Sequence, residues 1–235
     1  MSSYLKSTNV HIRDKRIVFD EEPHIYYIDG SCEGYISSTT IIHSFFGQFN
    51  ADEIASKLVK NKTNPKYKNM TVDEIKAMWE KNRVESAEAG TLLHKNIEEY
   101  YNDIPVDNSS KEYGYFLKFR NDYRDMKPYR TEWEIFDEEH KIAGSIDMIF
   151  QDEQGRFWIA DWKRSKEIKK YNRYQKGNPP LEHMDDCNFN QYSLQLNLYK
   201  YILEKHYGIQ IFGMFLVVLH PDNQNYLKLD VMYLD

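Results

Sequence analysis

Two carboxylates and an ammonium fall close together near the middle of the chain. Asp147 lies in "GSIDMIF" (144–150), and Asp161 and Lys163 lie in "WIADWKRSK" (158–166). Both stretches belong to apolar runs of strand character, 140–151 and 156–163, joined by "DEQGR". Gly155 is placed where a three-residue hairpin loop needs a left-handed residue. With Glu153, Gln154 and Gly155 as that loop, Asp152 lies opposite Arg156, and counting outward sets Asp147 opposite Asp161. Lys163, two residues on, shares their face. Ile146, Met148, Phe150, Trp158, Ala160 and Trp162 take the other face and read as core. Neighbouring carboxylates repel, and burying them adds a desolvation cost. A hard divalent cation such as Mg²⁺ or Mn²⁺ relieves both. Lys163 is then placed to position a water or to neutralise a phosphoryl oxygen. The same spacing also fits a buried Asp–Lys ion pair with Asp147 as a capping or turn residue.

The elements that must position these groups follow from pattern. Residues 16–38 read as short strands with turns at Glu22-Pro23 and Asp29-Gly30. A helix capped at Ser37, Ser38 or Thr39 runs to about Phe46, and another covers 50–60. Thr71 and Glu74 form a capping box for a helix reaching about Tyr101, and a further helix spans about 109–126, before Pro128. Three strands follow (129–137, 140–151, 156–163), then a helix at about 188–206 and strands at 209–220 and 225–234. The order is helices and then βββαββ, which predicts an α+β (α/β-like) fold with helices covering a small mixed sheet.

With 235 residues the chain can bury one sizeable core. Two cysteines, Cys32 and Cys187, are too few for a four-cysteine zinc or iron–sulfur site. No apolar run is long enough to span a bilayer, and the first residues lack a signal-peptide core, so an intracellular, soluble protein is expected. Cytoplasm, nucleus and a viral factory are not distinguished. The net charge is −6, yet residues 163–176 hold seven basic residues against one acidic, and residues 57–68 hold five against none. Both stretches carry tyrosine. They read either as solvated loops or as contacts for a polyanion with bases to stack.

The motifs "GSIDMIF" and "WIADWKRSK" resemble the core of the PD-(D/E)XK nucleases. Within them they resemble the RecB-like branch, which includes mitochondrial genome-maintenance exonucleases and related phage and large-virus nucleases. Asp147, Asp161 and Lys163 fill the places of the motif. "GTLLHKNIEEYY" (90–101) is similar to the branch's G-T-x-x-H helix, whose histidine ligates metal, here His94. "QLNLYKYIL" (195–203) is similar to its Q-x-x-x-Y helix, here Gln195 and Tyr199. The resemblance implies a restriction-endonuclease-like core with a helical N-terminal region. It reads 1–235 as a single nuclease domain, with about 1–126 as hairpin and helices and about 127–235 as the catalytic βββαββ core. The helical region, about 37–126, could then form a wall or arch past which a strand threads.

The implied site is one or two Mg²⁺ or Mn²⁺ ions on His94, Asp147, Asp161, the Trp162 carbonyl and an acidic residue of the first strand. Glu132 matches that last place better than Glu134. Glu98, one turn from His94, could orient it or ligate as well. Gln195 and Tyr199 would back the site or touch the strand being cut. Arg164, Lys166, Lys169, Lys170 and Arg173 follow Lys163 directly and would bind the nucleic-acid backbone, positioning it without reading sequence. The expected activity is hydrolysis of phosphodiester bonds, in DNA in preference to RNA, by an exonuclease acting on single strands or flaps. The alternatives are a structure-specific DNA endonuclease, a cap-snatching-like RNA endonuclease, or a non-catalytic nucleic-acid-binding module. No G-x-x-x-x-G-K-[ST] motor motif occurs, so unwinding would need a replication or recombination partner such as a helicase.

Overall fold

The computed structural model describes residues 3–61 and 64–234. Lys62, one of the basic residues of the 57–68 stretch, lies outside the described residues. Met1 and Ser2 do so as well. The chain forms two compact units, Gln48–Leu92 and the remainder.

The smaller unit holds helix α3 (Ala51–Asn61) and the first part of α4 (Val72–Tyr101). Ala55 and Ile75 are its buried apolar residues. The capping box read from the sequence is formed: Glu74 N–H donates to Thr71 Oγ1 at 3.2 Å, and Thr71 N–H donates to Glu74 Oε2 at 2.7 Å. From that cap α4 runs without a break to Tyr101.

The larger unit is built on a six-stranded mixed sheet. Before it come α1 (Tyr4–Thr8), a 3₁₀ turn (Ile12–Arg16), the antiparallel hairpin of β1 (Ile17–Asp20) and β2 (Ile25–Ile28), β3 (Ile36–Ser37) and α2 (Ser38–Ser44). Helix α5 (Lys111–Asp122) leads into the βββαββ run: β4 (Lys127–Asp137), β5 (Ile142–Gln151), β6 (Phe157–Lys163), α6 (Asn188–His206), β7 (Ile211–Val218) and β8 (Leu227–Val231). Helix α5 is shorter than its pattern suggests. Tyr123 N–H closes it on Phe119 O, and a turn from Tyr123 to Met126 brings the chain round into β4.

The hairpin register matches the sequence count from Gln151/Phe157 to Met148/Ala160, but the ladder ends there, so Asp147 and Asp161 are not paired across it as the count expects. Gln151 pairs with Phe157 and Met148 with Ala160, Asp152 N–H donates to Arg156 O, and Gly155 takes φ +78°. β6 pairs with β7 in parallel, and β8 closes the sheet antiparallel to β7. β4 lines one edge of β5 along its whole length, so β3 and β6 share the other edge. β3 takes Ile142 and Ala143, and β6 takes Met148 onward. The ladder therefore opens where Asp147 stands.

Helices cover both faces of the sheet. Leu196, Tyr199, Ile202 and Leu203 of α6 pack on one side with Ile149, Ile159 and Leu216. Leu93 and Ile97 of α4 and Phe116 and Phe119 of α5 pack on the other with Met148, Phe150, Ala160 and Trp162. Ile146 departs from the simple alternation: it packs on the α6 side with Trp133, although Met148 two residues on packs on the α4 side. β4 switches in step, since Trp133 joins the α6 side while Thr131 accepts a hydrogen bond from Asn102, the residue just past the end of α4. The change of phase falls on Glu132, which has φ +41°. A non-glycine residue there stores about 1–3 kcal/mol of strain. The segment 3–15, which gives no clear pattern, is tied to β4 through Asp14: Arg130 Nη1 lies 2.8 Å from its Oδ2, and Trp133 Nε1 donates to its Oδ1 at 2.8 Å.

Candidate active site

The phase switch at Glu132 and the open ladder at Asp147 put two carboxylates side by side, and α4 adds an imidazole. Leu93 and Ile97, both buried, seat α4 on the sheet and turn His94 between them toward the opening. His94 Nδ1 lies 3.6 Å from Asp147 Oδ2 and 3.9 Å from Glu132 Oε1. One ligating atom from each of His94, Glu132 and Asp147 lies within 4.8 Å of the others. His94 Nε2–H donates to the Trp162 carbonyl at 2.9 Å, so once the ring loses its second proton Nδ1 carries the lone pair. Asp147 Oδ2 accepts the Trp162 N–H at 2.9 Å, so its side chain fills the gap left by the missing ladder bond. Ser145 Oγ–H donates to Glu132 Oε2 at 3.2 Å.

Asp161 is buried and turns to Lys163, whose Nζ lies 2.7 Å from Asp161 Oδ2. That oxygen has no well-directed hydrogen bond. Lys163 is held from its other side by the Tyr192 ring, 4.7 Å from Nζ to centroid.

These charges strain one another. Burial raises the Asp147 carboxyl above its ordinary range, against the pull of His94 and Lys163. Burial pushes Asp161 up to about 6, with Lys163 opposing and Asp147 adding. Burial works against charge on His94, but Asp147 and Glu132 outweigh it and push the imidazole up to about 9. The Lys163 ammonium is desolvated too, yet Asp161 and Asp147 raise its pKa and keep it protonated. Carboxylates held this reluctantly, with a histidine among them, are a donor set suited to a divalent cation.

The remaining sequence candidates divide. Glu134 is taken up by Lys6 at 3.2 Å and does not join the cluster. Glu98 stays outside it as well, and burial with Glu132 and Glu134 pushes its carboxyl up to about 7. Tyr199 is only 2% exposed, and its hydroxyl is engaged by Ser38 Oγ at 2.8 Å and by Gln195 Nε2 at 2.9 Å. Its hydroxyl does not reach into solvent. Arg164 is drawn inward to the buried Glu112, 2.9 Å away, and so is not presented on the basic loop. Lys166, Lys169, Lys170 and Arg173 are exposed. Sequence reasoning missed Ser38, Ser145 and Tyr192. Each bears an ordinary hydroxyl or ring, and only the fold brings it to the site.

The profile of the PD-(D/E)XK nuclease superfamily matches residues 108–230, more than half of the chain. The chain belongs to the PD-(D/E)XK nuclease superfamily. The match runs through β4, β5, β6 and α6, so the mixed sheet with its helices is the restriction-endonuclease-like core of that superfamily. Membership implies a nuclease hydrolase that binds nucleic acid, and the superfamily typically uses divalent metals. No curated protein matches the chain closely. Among solved structures, the crystal structure of SSO0001 aligns at 16% identity over 86% of this chain and 70% of that one, with a TM-score of 0.36. Among the described residues no helix is long and apolar enough to cross a membrane.

Proposed function

We propose that this chain is a Mg²⁺- or Mn²⁺-dependent deoxyribonuclease of the RecB-like branch, acting as an exonuclease on single-stranded or flap DNA. The observation that carries this reading is the convergence of His94, Glu132 and Asp147 beside the Asp161–Lys163 pair, where β5 and β6 part.

His94, Glu132, Asp147, Asp161 and the Trp162 carbonyl would hold one or two ions. When bound, such ions make a hydroxide nucleophile available near neutral pH and stabilise charge on the phosphoryl group. The chain's own contribution is positional. The Nε2–H bond to Trp162 O holds the His94 ring with Nδ1 toward Asp147. Lys163, kept charged and clamped between Asp161 and Tyr192, presents an ammonium to a phosphoryl oxygen or to the attacking water. Tyr199 and Gln195 brace α6 against Ser38 behind it. Lys166, Lys169, Lys170 and Arg173 would hold the incoming backbone. Work in DNA repair, recombination or replication fits such an enzyme, with a partner such as a helicase opening the duplex.

The test is digestion of end-labelled linear DNA, circular single-stranded DNA and RNA with Mn²⁺ or Mg²⁺, comparing wild type with Lys163→Ala. We expect linear single strands to be degraded, circles to persist, and the variant to lose turnover by about 10²-fold or more while still binding. Rapid cutting of circles would instead make the protein an endonuclease, and preferential cutting of RNA would make it a ribonuclease. Binding without any metal-dependent cleavage would leave a non-catalytic module.

A further inference from the structure

The segment that leaves β6 after Lys163 is built more firmly than a solvated loop needs to be. Asn172 N–H donates to Asp185 Oδ2 at 2.9 Å, and its Nδ2 donates to Asp186 O at 2.8 Å. Asn188 ties both sides of the turn, accepting Lys169 N–H at 2.8 Å and donating to Glu167 O at 3.0 Å. Asp186 N–H and Gly177 N–H close further backbone bonds to Gln175 O and Met184 O. On this fixed backbone two aromatic rings stand out in solvent, with Tyr171 70% and Tyr174 94% exposed. They line a cavity of about 300 Å³ together with Lys169, Arg173 and Asp186.

A tyrosine ring so exposed on a backbone so constrained gains nothing for the fold. Lys169, Lys170 and Arg173 have no carboxylate partner among the described residues, in contrast to Lys166, which pairs with Asp222, and Lys176, which pairs with Asp185. The rim is therefore cationic, while Asp186 puts a carboxylate into the cavity wall. A phosphate is attracted to the rim and repelled from the cavity. A planar, uncharged base suits the cavity and stacks on tyrosine.

From this arrangement we infer that Tyr171 and Tyr174 form a nucleobase pocket that captures an unpaired base of a single strand, with the strand's phosphates lying along Lys169, Lys170 and Arg173. The inference rests on the nuclease reading for its substrate class, and it adds what that reading lacks, a reason to prefer single strands. In a duplex the bases are stacked on one another and are not available to the pocket.

Binding can be measured apart from turnover. Fluorescently labelled single-stranded DNA, an abasic strand of the same length and a duplex are titrated with the full chain in Ca²⁺, and cleavage in Mn²⁺ is assayed in parallel. We expect Tyr171→Ala and Tyr174→Ala each to weaken single-strand binding about tenfold or more. The Phe variants should keep it, because the ring and not the hydroxyl does the stacking. On the abasic strand wild type and the Ala variants should bind alike. Equal losses on abasic and normal strands, or no loss on either, would overturn the pocket even if wild type cleaves in Mn²⁺. If the Ala variants lose base-dependent binding but wild type never cleaves, the pocket stands and the nuclease reading falls. Failure of wild type to bind any of the strands would overturn the pocket and leave the two rings to a protein partner.

Discussion

At the residue scale the chemistry is set by how few cations serve so many carboxyl groups. Asp147, Asp161 and Glu132 share one lysine and one histidine, and burial raises Asp147 and Asp161 above their ordinary range. The imidazole answers by holding its proton up to about pH 9. That proton must leave before Nδ1 can ligate a metal. Below pH 9 binding of Mn²⁺ should therefore expel a proton, and above pH 9 it should not. The apparent affinity should rise with pH and level off near 9. Calorimetric titration in buffers of different ionisation enthalpy reads the released proton directly, and an affinity flat between pH 7 and 9 would show that His94 does not ligate. The sequence made the strands that carry Asp147, Asp161 and Lys163 legible, because hairpin register is simple arithmetic once Gly155 marks the loop, but the count ran one pair past the end of the ladder. By spacing alone it left Glu132 and Glu134 open, with only the resemblance favouring Glu132, because their separation depends on a backbone twist that no local pattern encodes. It also overstated Arg164, whose charge looks free in the sequence and is spent on Glu112 in the fold.

At the scale of elements, two junctions hold the site in place. The first is β5 against α2 and α6. A Cβ on Gly144 would lie 2.5 Å from Ser38 Oγ and 2.8 Å from Tyr199 Cε1, so only glycine lets these three elements meet. Gly144→Ala should cost about 1–3 kcal/mol in urea unfolding, and Ser38→Gly should restore part of it. The second junction joins the N-terminal segment to β4. Burial opposes charge on Asp14, but hydrogen bonds from Arg130, the His11 amide and Trp133 prevail and hold its pKa below the ordinary value. The Arg130 side chain is fully buried. Asp14→Ala would strand that guanidinium and should cost about 3–5 kcal/mol. A group whose folded pKa is depressed stabilises above its unfolded pKa and loses that stability as pH falls through the folded value. The wild type should therefore soften below about pH 4, while Asp14→Ala, already destabilised, should lose less on acidification. Helix and strand order were readable because α4 carries a clear capping box and the hairpin a clear turn residue, whereas α6 starts after Cys187 without a side-chain cap and showed only as a run between Pro180 and the apolar β7. The N-terminal segment was not, because its fixed geometry comes from ion pairs reaching across more than a hundred residues, among them Lys6–Glu134, Arg13–Glu138 and Asp14–Arg130.

At the scale of the molecule the charge balance looks wrong for a nuclease. The chain carries −6 overall and should repel DNA at a distance. Many of its acids, however, are held in ion pairs or gathered at the site, while Lys169, Lys170 and Arg173 have no carboxylate partner among the described residues. Affinity for a single strand should then depend on a few local contacts and not on the field of the whole protein. Each phosphate neutralised contributes about 0.7 to the slope of log K against log salt. Replacing all three cations by alanine should lower that slope by about 2, whereas replacing three basic residues of the smaller unit that already sit in ion pairs, Lys76, Lys81 and Arg83, should leave it nearly unchanged. Titrations of a fluorescent strand between 50 and 200 mM salt, at fixed Ca²⁺, separate the two. An equal fall in slope for both triple variants would mean that binding follows net charge, and the loop would lose its special place in substrate capture.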